Sequence, residues 1–219
     1  MNLKILSLVI IGVCILLPDV CYAFLSKDVH LLNMQNGLAD NTVSAVYKDK
    51  EGFVWFGTRN GLSRYDGRRI TNFERSRSYP SISNLKEVFD GVLAFVDNGV
   101  FSAFDLKKER FLSVVSSSGQ GIPSRGMLQR NDSLVWVISG SELHLMKRCA
   151  SKEGELRLRV QEKYTGWNNQ DNLLVAITYS SDKKSICLID EKGRIILLDA
   201  TNLNSFRVID LGRIGSLSV

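Results

Sequence analysis

Few side chains in these 219 residues are of a kind that performs chemistry. There are two histidines, His30 and His144. His144 alternates with Leu143 and Leu145, so in a strand it points away from both leucines, and no catalytic role is expected of it. No base stands near a marked serine or cysteine, so no nucleophile–base arrangement is expected. Of the four cysteines, Cys14 and Cys21 lie in the apolar N-terminal segment. Cys149 and Cys187 remain, and spacing alone leaves their pairing open. Cys187, in "SICLID", reads as a buried small hydrophobe. Without a CxxC or a Cys/His cluster, no metal site and no cofactor are expected. "DKEG" at 49–52 has the look of a calcium-loop start. It lacks the D-x-[DN]-x-[DN]-G ligand spacing and the closing Glu. Trp167 stands in the polar run "TGWNNQDN". An aromatic among amides suits a stacked, hydrogen-bonded sugar, which makes Trp167 the one candidate ligand contact; packing of a long loop is the other reading. Arg68 and Arg69 are read as a solvated pair on an outer strand rather than a site for an acidic ligand.

The elements that would carry these residues are short β-runs between turn signals. Residues 42–73 show the pattern best. "TVSAVY" alternates, "DKEG" turns, "FVWFG" comes next, Asn60-Gly61 turns, "LSRY" comes after it, Asp66-Gly67 turns, and "RRITNF" closes. Phe53 and Trp55 fall on one face of the second run, Val54 and Phe56 on the other, as in a strand buried on both sides. Gly61, Gly67, Gly99 and Gly193 precede no helix, so turn geometry explains them better than phosphate binding.

One four-stranded meander cannot bury two apolar faces alone. Residues 85–115 repeat the pattern, with Asp90-Gly91, Asn98-Gly99 and Asp105 at the turns. Gly61 and Gly99 are 38 residues apart. A weaker third unit spans 126–163, with Trp136 in the place of Trp55, and a fourth spans 173–210, with Asp199 matching Asp105. Units of this kind, repeating at about 40–50 residues, mark a β-propeller. The expected class is therefore all-β: four blades of four antiparallel strands over 24–219, forming part of a larger ring of about seven. A β-sandwich would also give many short strands, but not this recurrence of Gly and Asp.

The N-terminus adds a location. Lys4, the apolar run Ile5–Leu17, Pro18 and "CYA" at 21–23 read as a secretory signal peptide over 1–23, cleaved between Ala23 and Phe24. The run is too short to span a bilayer. Net charge is +5 with the basic residues scattered, so nucleic acid is not an expected partner.

The stretch 36–73 resembles the repeat of the two-component regulator propeller family. Asp49, Gly52, Trp55, Gly57 and Thr58 fit its central turn and strand. Gly61, Leu62, Tyr65, Asp66 and Gly67 fit its end, and Gly37-Leu38, Asn41 and Val43 its lead-in. The sialidase Asp-box fails here, because Asp49 and Gly52 are three apart rather than two. Later units keep only echoes of the family pattern.

The resemblance implies a periplasmic, non-catalytic sensor region of a hybrid two-component histidine kinase, responding to an oligosaccharide or other periplasmic ligand. It also implies a longer, homodimeric receptor with two such propellers, a β-sandwich, a membrane helix and a kinase, in which 28–34 lends a strand to the last blade. No membrane span and no kinase residues are read in this chain, which is expected to be an N-terminal part of such a receptor. The rival readings are a secreted propeller lyase or glycosidase acting on polysaccharide, and a pure protein-interaction scaffold.

Overall fold

In the computed structural model, residues 31–74, 82–167 and 172–210 are described. The signal segment with its Ala23–Phe24 junction, His30 and the final "IGSLSV" lie outside them. The chain divides into two compact units, Met1–Leu32 and Asn33–Val219, and every strand of the described residues belongs to the second.

Among the described residues, sixteen strands run in sequence order through this unit. The first sheet holds β1 (Val43–Lys48), β2 (Val54–Thr58), β3 (Gly61–Tyr65) and β4 (Ile70–Glu74). Next come β5 (Ile82–Phe89), β6 (Val92–Asp97), β7 (Val100–Asp105) and β8 (Arg110–Ser116). The third set is β9 (Gly126–Asn131), β10 (Leu134–Ser139), β11 (Glu142–Cys149) and β12 (Glu155–Tyr164). The last is β13 (Leu174–Tyr179), β14 (Ser185–Asp190), β15 (Arg194–Asp199) and β16 (Phe206–Asp210). Within each set every neighbour pairs antiparallel.

Alternation along single strands shows how the sets stack. Leu93 and Phe95 of β6 face the first sheet, joining Trp55, Leu62 and Phe104 in one apolar seam. Val92, Ala94 and Val96 face the other way and join Met127, Val135 and Val137 of the third set. In β10 the same division recurs. Trp136 and Ile138 turn to the fourth set and meet Ile177, Ile186 and Leu188. Four blades thus enclose three seams, and the inner blades have strands buried on both faces; β6 is buried at every residue. This is the blade stacking of a β-propeller. Among the described residues, the faces at the two ends are only partly covered. Val54 and Phe56 of β2 are only half-buried and Val46 of β1 is 60% exposed, so the double-sided burial expected for "FVWFG" is met on one face only. On the fourth blade, Ile189 is exposed, and Cys187 is half-buried on the same open side rather than in the core. Both Cys149 and Cys187 carry free thiols.

The recurring aspartates have one physical role. Asp66 Oδ1 accepts the backbone N–H groups of Arg68 and Arg69, both at 2.7 Å. Asp105 Oδ1 does the same for Lys107 and Lys108, and Asp199 Oδ1 for Thr201 and Asn202. Each closes the turn between the third and fourth strands of its blade with an Asx-type bond. The third blade has Cys149 at the end of the corresponding strand. There β12 starts later and runs on, and its first residues pair in parallel with β8, Leu156 opposite Val114. The Glu153 carboxylate in the link accepts from Lys108 Nζ at 2.8 Å and Arg110 Nη2 at 3.0 Å. Blades two and three therefore form one continuous eight-stranded sheet.

Asp190, in the β14–β15 turn, gives a pH dependence. Burial acts to raise its pKa, but bonds from the Arg194 and Lys192 backbone and the Arg194 guanidinium at 2.7 Å outweigh it and hold the pKa below the ordinary range. A depressed carboxylate adds stability that is present above its unfolded value, about 4, and is lost as pH falls through the folded value. Asp190→Asn is expected to melt earlier than the unaltered chain at neutral pH. That difference is expected to close as pH is lowered, which a series of melting curves would check.

Candidate functional site

The turns β1–β2, β5–β6 and β7–β8 meet at one end of the first seam and enclose a cleft of about 180 Å³. The "DKEG" turn forms one wall. Its buried Asp49 uses both carboxylate oxygens: Oδ1 accepts Phe53 N–H at 2.9 Å, and Oδ2 accepts Trp55 Nε1–H at 2.7 Å. The residue closes the turn on one side and anchors the indole on the other. That dual role, rather than calcium ligation, accounts for the Asp–Trp spacing.

Trp55 is 1% exposed and stacks on Phe73 at 5.6 Å, with Phe104 tilted against it at 5.5 Å. Register puts Tyr47, Trp55 and Arg64 on one face, so the Arg64 guanidinium lies over Phe53 and Trp55, 4.8 Å and 5.5 Å from their centroids. Arg64 Nη1 also meets Glu109 at 2.6 Å. Across the cleft, Glu87 accepts Lys50 Nζ at 3.2 Å and Gly91 N–H at 3.0 Å. Asp90 pairs with Lys107 and Lys50, and the Lys107 bond above all holds its carboxyl below the ordinary range. The wall is aromatic, and each of these cations already has a carboxylate. Such a lining is preorganised and charge-compensated, and it suits a polar ligand with an apolar face.

The remaining repeat residues brace this arrangement. Thr58 Oγ1 donates to the Gly61 carbonyl at 3.0 Å and accepts Asn60 N–H. Tyr65 donates its hydroxyl to the Gly67 carbonyl at 2.8 Å, and Leu62 is fully buried. Gly61 has φ +121°, and a Cβ there would stand 2.5 Å from the Phe73 carbonyl oxygen, so both backbone and space require glycine. Gly52 and Gly67 sit in the outer turns, where both also have positive φ. The lead-in folds over the open face of the first blade. Asn72 Nδ2 bonds the Gly37 carbonyl at 2.9 Å, Asn60 Nδ2 the Ala39 carbonyl at 3.1 Å, and Leu38 is buried.

Trp167 is placed differently from its reading as an exposed aromatic. It is 7% exposed and belongs to the apolar seam between blades three and four, edge-on to Phe206 at 6.4 Å. An indole at the end of β12 gains more by covering this seam than by facing water. Its ring offers no open face to a sugar, so packing replaces ligand contact as its role. His144 points away from Leu143 and Leu145, as alternation requires, and its Nε2 is 2.6 Å from Glu142 Oε2. The cleft itself escaped sequence reasoning because its far wall, Glu87 to Lys107, comes from a different unit; the only local signal was the run of carboxylates and lysines at the turns.

The sheets and seams define a β-propeller, and the comparisons agree. Residues 37–60, from the lead-in through β2, match the two component regulator propeller model. Similar folds include the extracellular domain of the putative one component system BT4673 from B. thetaiotaomicron, at 16% identity and TM-score 0.61, covering 82% of this chain and 27% of that one. The extracellular domain of the putative hybrid two component system BT3049 from B. thetaiotaomicron has 19% identity and TM-score 0.56, covering 82% and 26%. The Myceliophteria thermophila Cps50 (Swd1) β-propeller domain has 15% identity and TM-score 0.52, covering 76% and 55%. The chain thus spans about a quarter of the first two structures and about half of the third, which fits part of a larger propeller. No curated protein matches the sequence.

Proposed function

We propose that this chain is a non-catalytic, exported sensory propeller of a two-component receptor that binds a glycan-derived ligand. One observation carries the reading. The residues matched to the two component regulator propeller model build the joint between the first two blades and one wall of its cleft. The extracellular domains of putative one- and two-component systems among the similar folds support it, as does the signal-like segment 1–23. Binding acts by shifting the arrangement of sensor domains, and so biases a kinase across the membrane. Among the rival enzymes, a glycosidase of the usual two-carboxyl kind would need one member of the pair kept protonated near neutrality. In the cleft, lysines hold Asp90 in the opposite sense. The test is a glycan array probed with the purified chain. Selective retention on a small set of oligosaccharides is expected. Capture of proteins with no glycan retained would favour the scaffold instead.

A further inference from the structure

A second cleft, of about 350 Å³, opens between blades three and four, at the end of the blades that carries the β9–β10 and β13–β14 turns. Its position repeats that of the first. Arg130 of β9 lies over Trp136 at 5.2 Å, as Arg64 lies over Trp55. Its charge differs sharply. The lining contains Gln129, Arg130, Tyr179 and Lys183, closed by Ile186 and Ala200, and no carboxylate. Among the described residues neither Arg130 nor Lys183 forms an ion pair. In the first cleft, by contrast, Lys50, Lys107 and Arg64 each have one. Two carboxylates stand near these cations without pairing to them: Glu162 through Tyr164, which lies close to Arg130, and Asp182, next to Lys183 in the chain. Glu162 accepts the Tyr164 hydroxyl, and Asp182 accepts Ser180 Oγ and Lys184 N–H. Lys183 is held in a left-handed backbone conformation, φ +57°, at the turn that forms the cleft's rim.

We propose that this cleft binds an acidic saccharide, with Arg130 and Lys183 taking its carboxylate or sulfate group, Gln129 a hydroxyl, and the Tyr179 ring a sugar face. Two cations without carboxylate partners gain most from an anion, because no existing pair must be broken. The planar guanidinium suits a bidentate oxyanion, and the lysine adds a point charge. The proposal rests on the glycan reading above and narrows it to charged sugars.

The test is titration calorimetry on the whole chain. The probes are a galacturonate trisaccharide, a sulfated disaccharide, a neutral xylose trisaccharide and sodium sulfate alone. The proposal expects binding of one or both acidic sugars at least about tenfold tighter than the neutral one, weakened by added salt. Arg130→Gln and Lys183→Gln are each expected to weaken it about tenfold or more, with the melting curve of Lys183→Gln unchanged. Lys152→Gln, at an exposed lysine outside both clefts, is expected to leave it unchanged. Equal binding of the neutral sugar, indifference to both variants, or sulfate alone binding as well as the sugars would each overturn the proposal. So would no binding of any probe. If the array meanwhile shows a neutral ligand, the sensory reading stands and only this cleft's assignment falls.

Discussion

Trp55→Ala is expected to lower unfolding stability by about 3–5 kcal/mol, the usual cost of emptying a buried aromatic site. Against a typical total of about 5–15 kcal/mol, this leaves the first blade barely held. Three losses combine. The indole fills the seam between blades one and two, where Phe73 and Phe104 pack on it. The Arg64 guanidinium loses an aromatic face. Asp49 Oδ2, on a buried carboxylate, loses its indole donor. Trp55→Phe separates these, since it keeps a ring while removing the donor and part of the indole's volume. It is expected to cost about 1.5–3 kcal/mol, the range for hydrogen bonds to a charged group. Trp136→Phe is the matched control. Trp136 is equally buried, but its Nε1 has no partner among the described residues, so its loss is expected to be smaller. Urea unfolding of the three variants checks the order.

Gly57→Ala is expected to cost about 1–3 kcal/mol through overpacking between blades. A Cβ at position 57 would stand 2.5 Å from Ile82 Cγ2 and 3.3 Å from Ala45 Cβ. Ile82 is the first residue of β5 and is fully buried, so it cannot swing into solvent. The glycine of "WFGT" lets the second blade approach the first. Ser44 Oγ strengthens the same approach by bonding the Ile82 carbonyl. Ile82→Ala removes the clashing methyl, at its own cavity cost. The double variant Gly57→Ala/Ile82→Ala is therefore expected to be more stable than the sum of the single losses, by about 0.5–3 kcal/mol of favourable coupling. Additive losses would place the two residues in separate environments.

Much of this architecture was legible because propeller blades are built from local rules. Asn60-Gly61 and the turn aspartates announce hairpins within a few residues, and the three recurring aspartates make the same bonds wherever they occur. What escaped was long-range. The parallel pairing of β12 with β8 depends on a lost turn residue in blade three and on Glu153 reaching cations some 40 residues away, and no local pattern encodes it. Trp167 misled because polar neighbours suggest exposure, whereas its burial is decided by β13–β16 packing across the seam. The "DKEG" turn is itself a local signal, yet the Asp49–Trp55 bond it makes is visible only once the chain folds back within the turn. The clefts are composed of residues from adjacent blades, so their lining appears only once the blades are stacked.

The most direct test of a binding propeller without chemistry is to incubate the purified chain with an oligosaccharide it retains, then recover and analyse the sugar. Binding alone predicts a saturable thermal shift and a ligand recovered intact. A sugar recovered shortened, or bearing a new double bond, would contradict it and make this chain an enzyme.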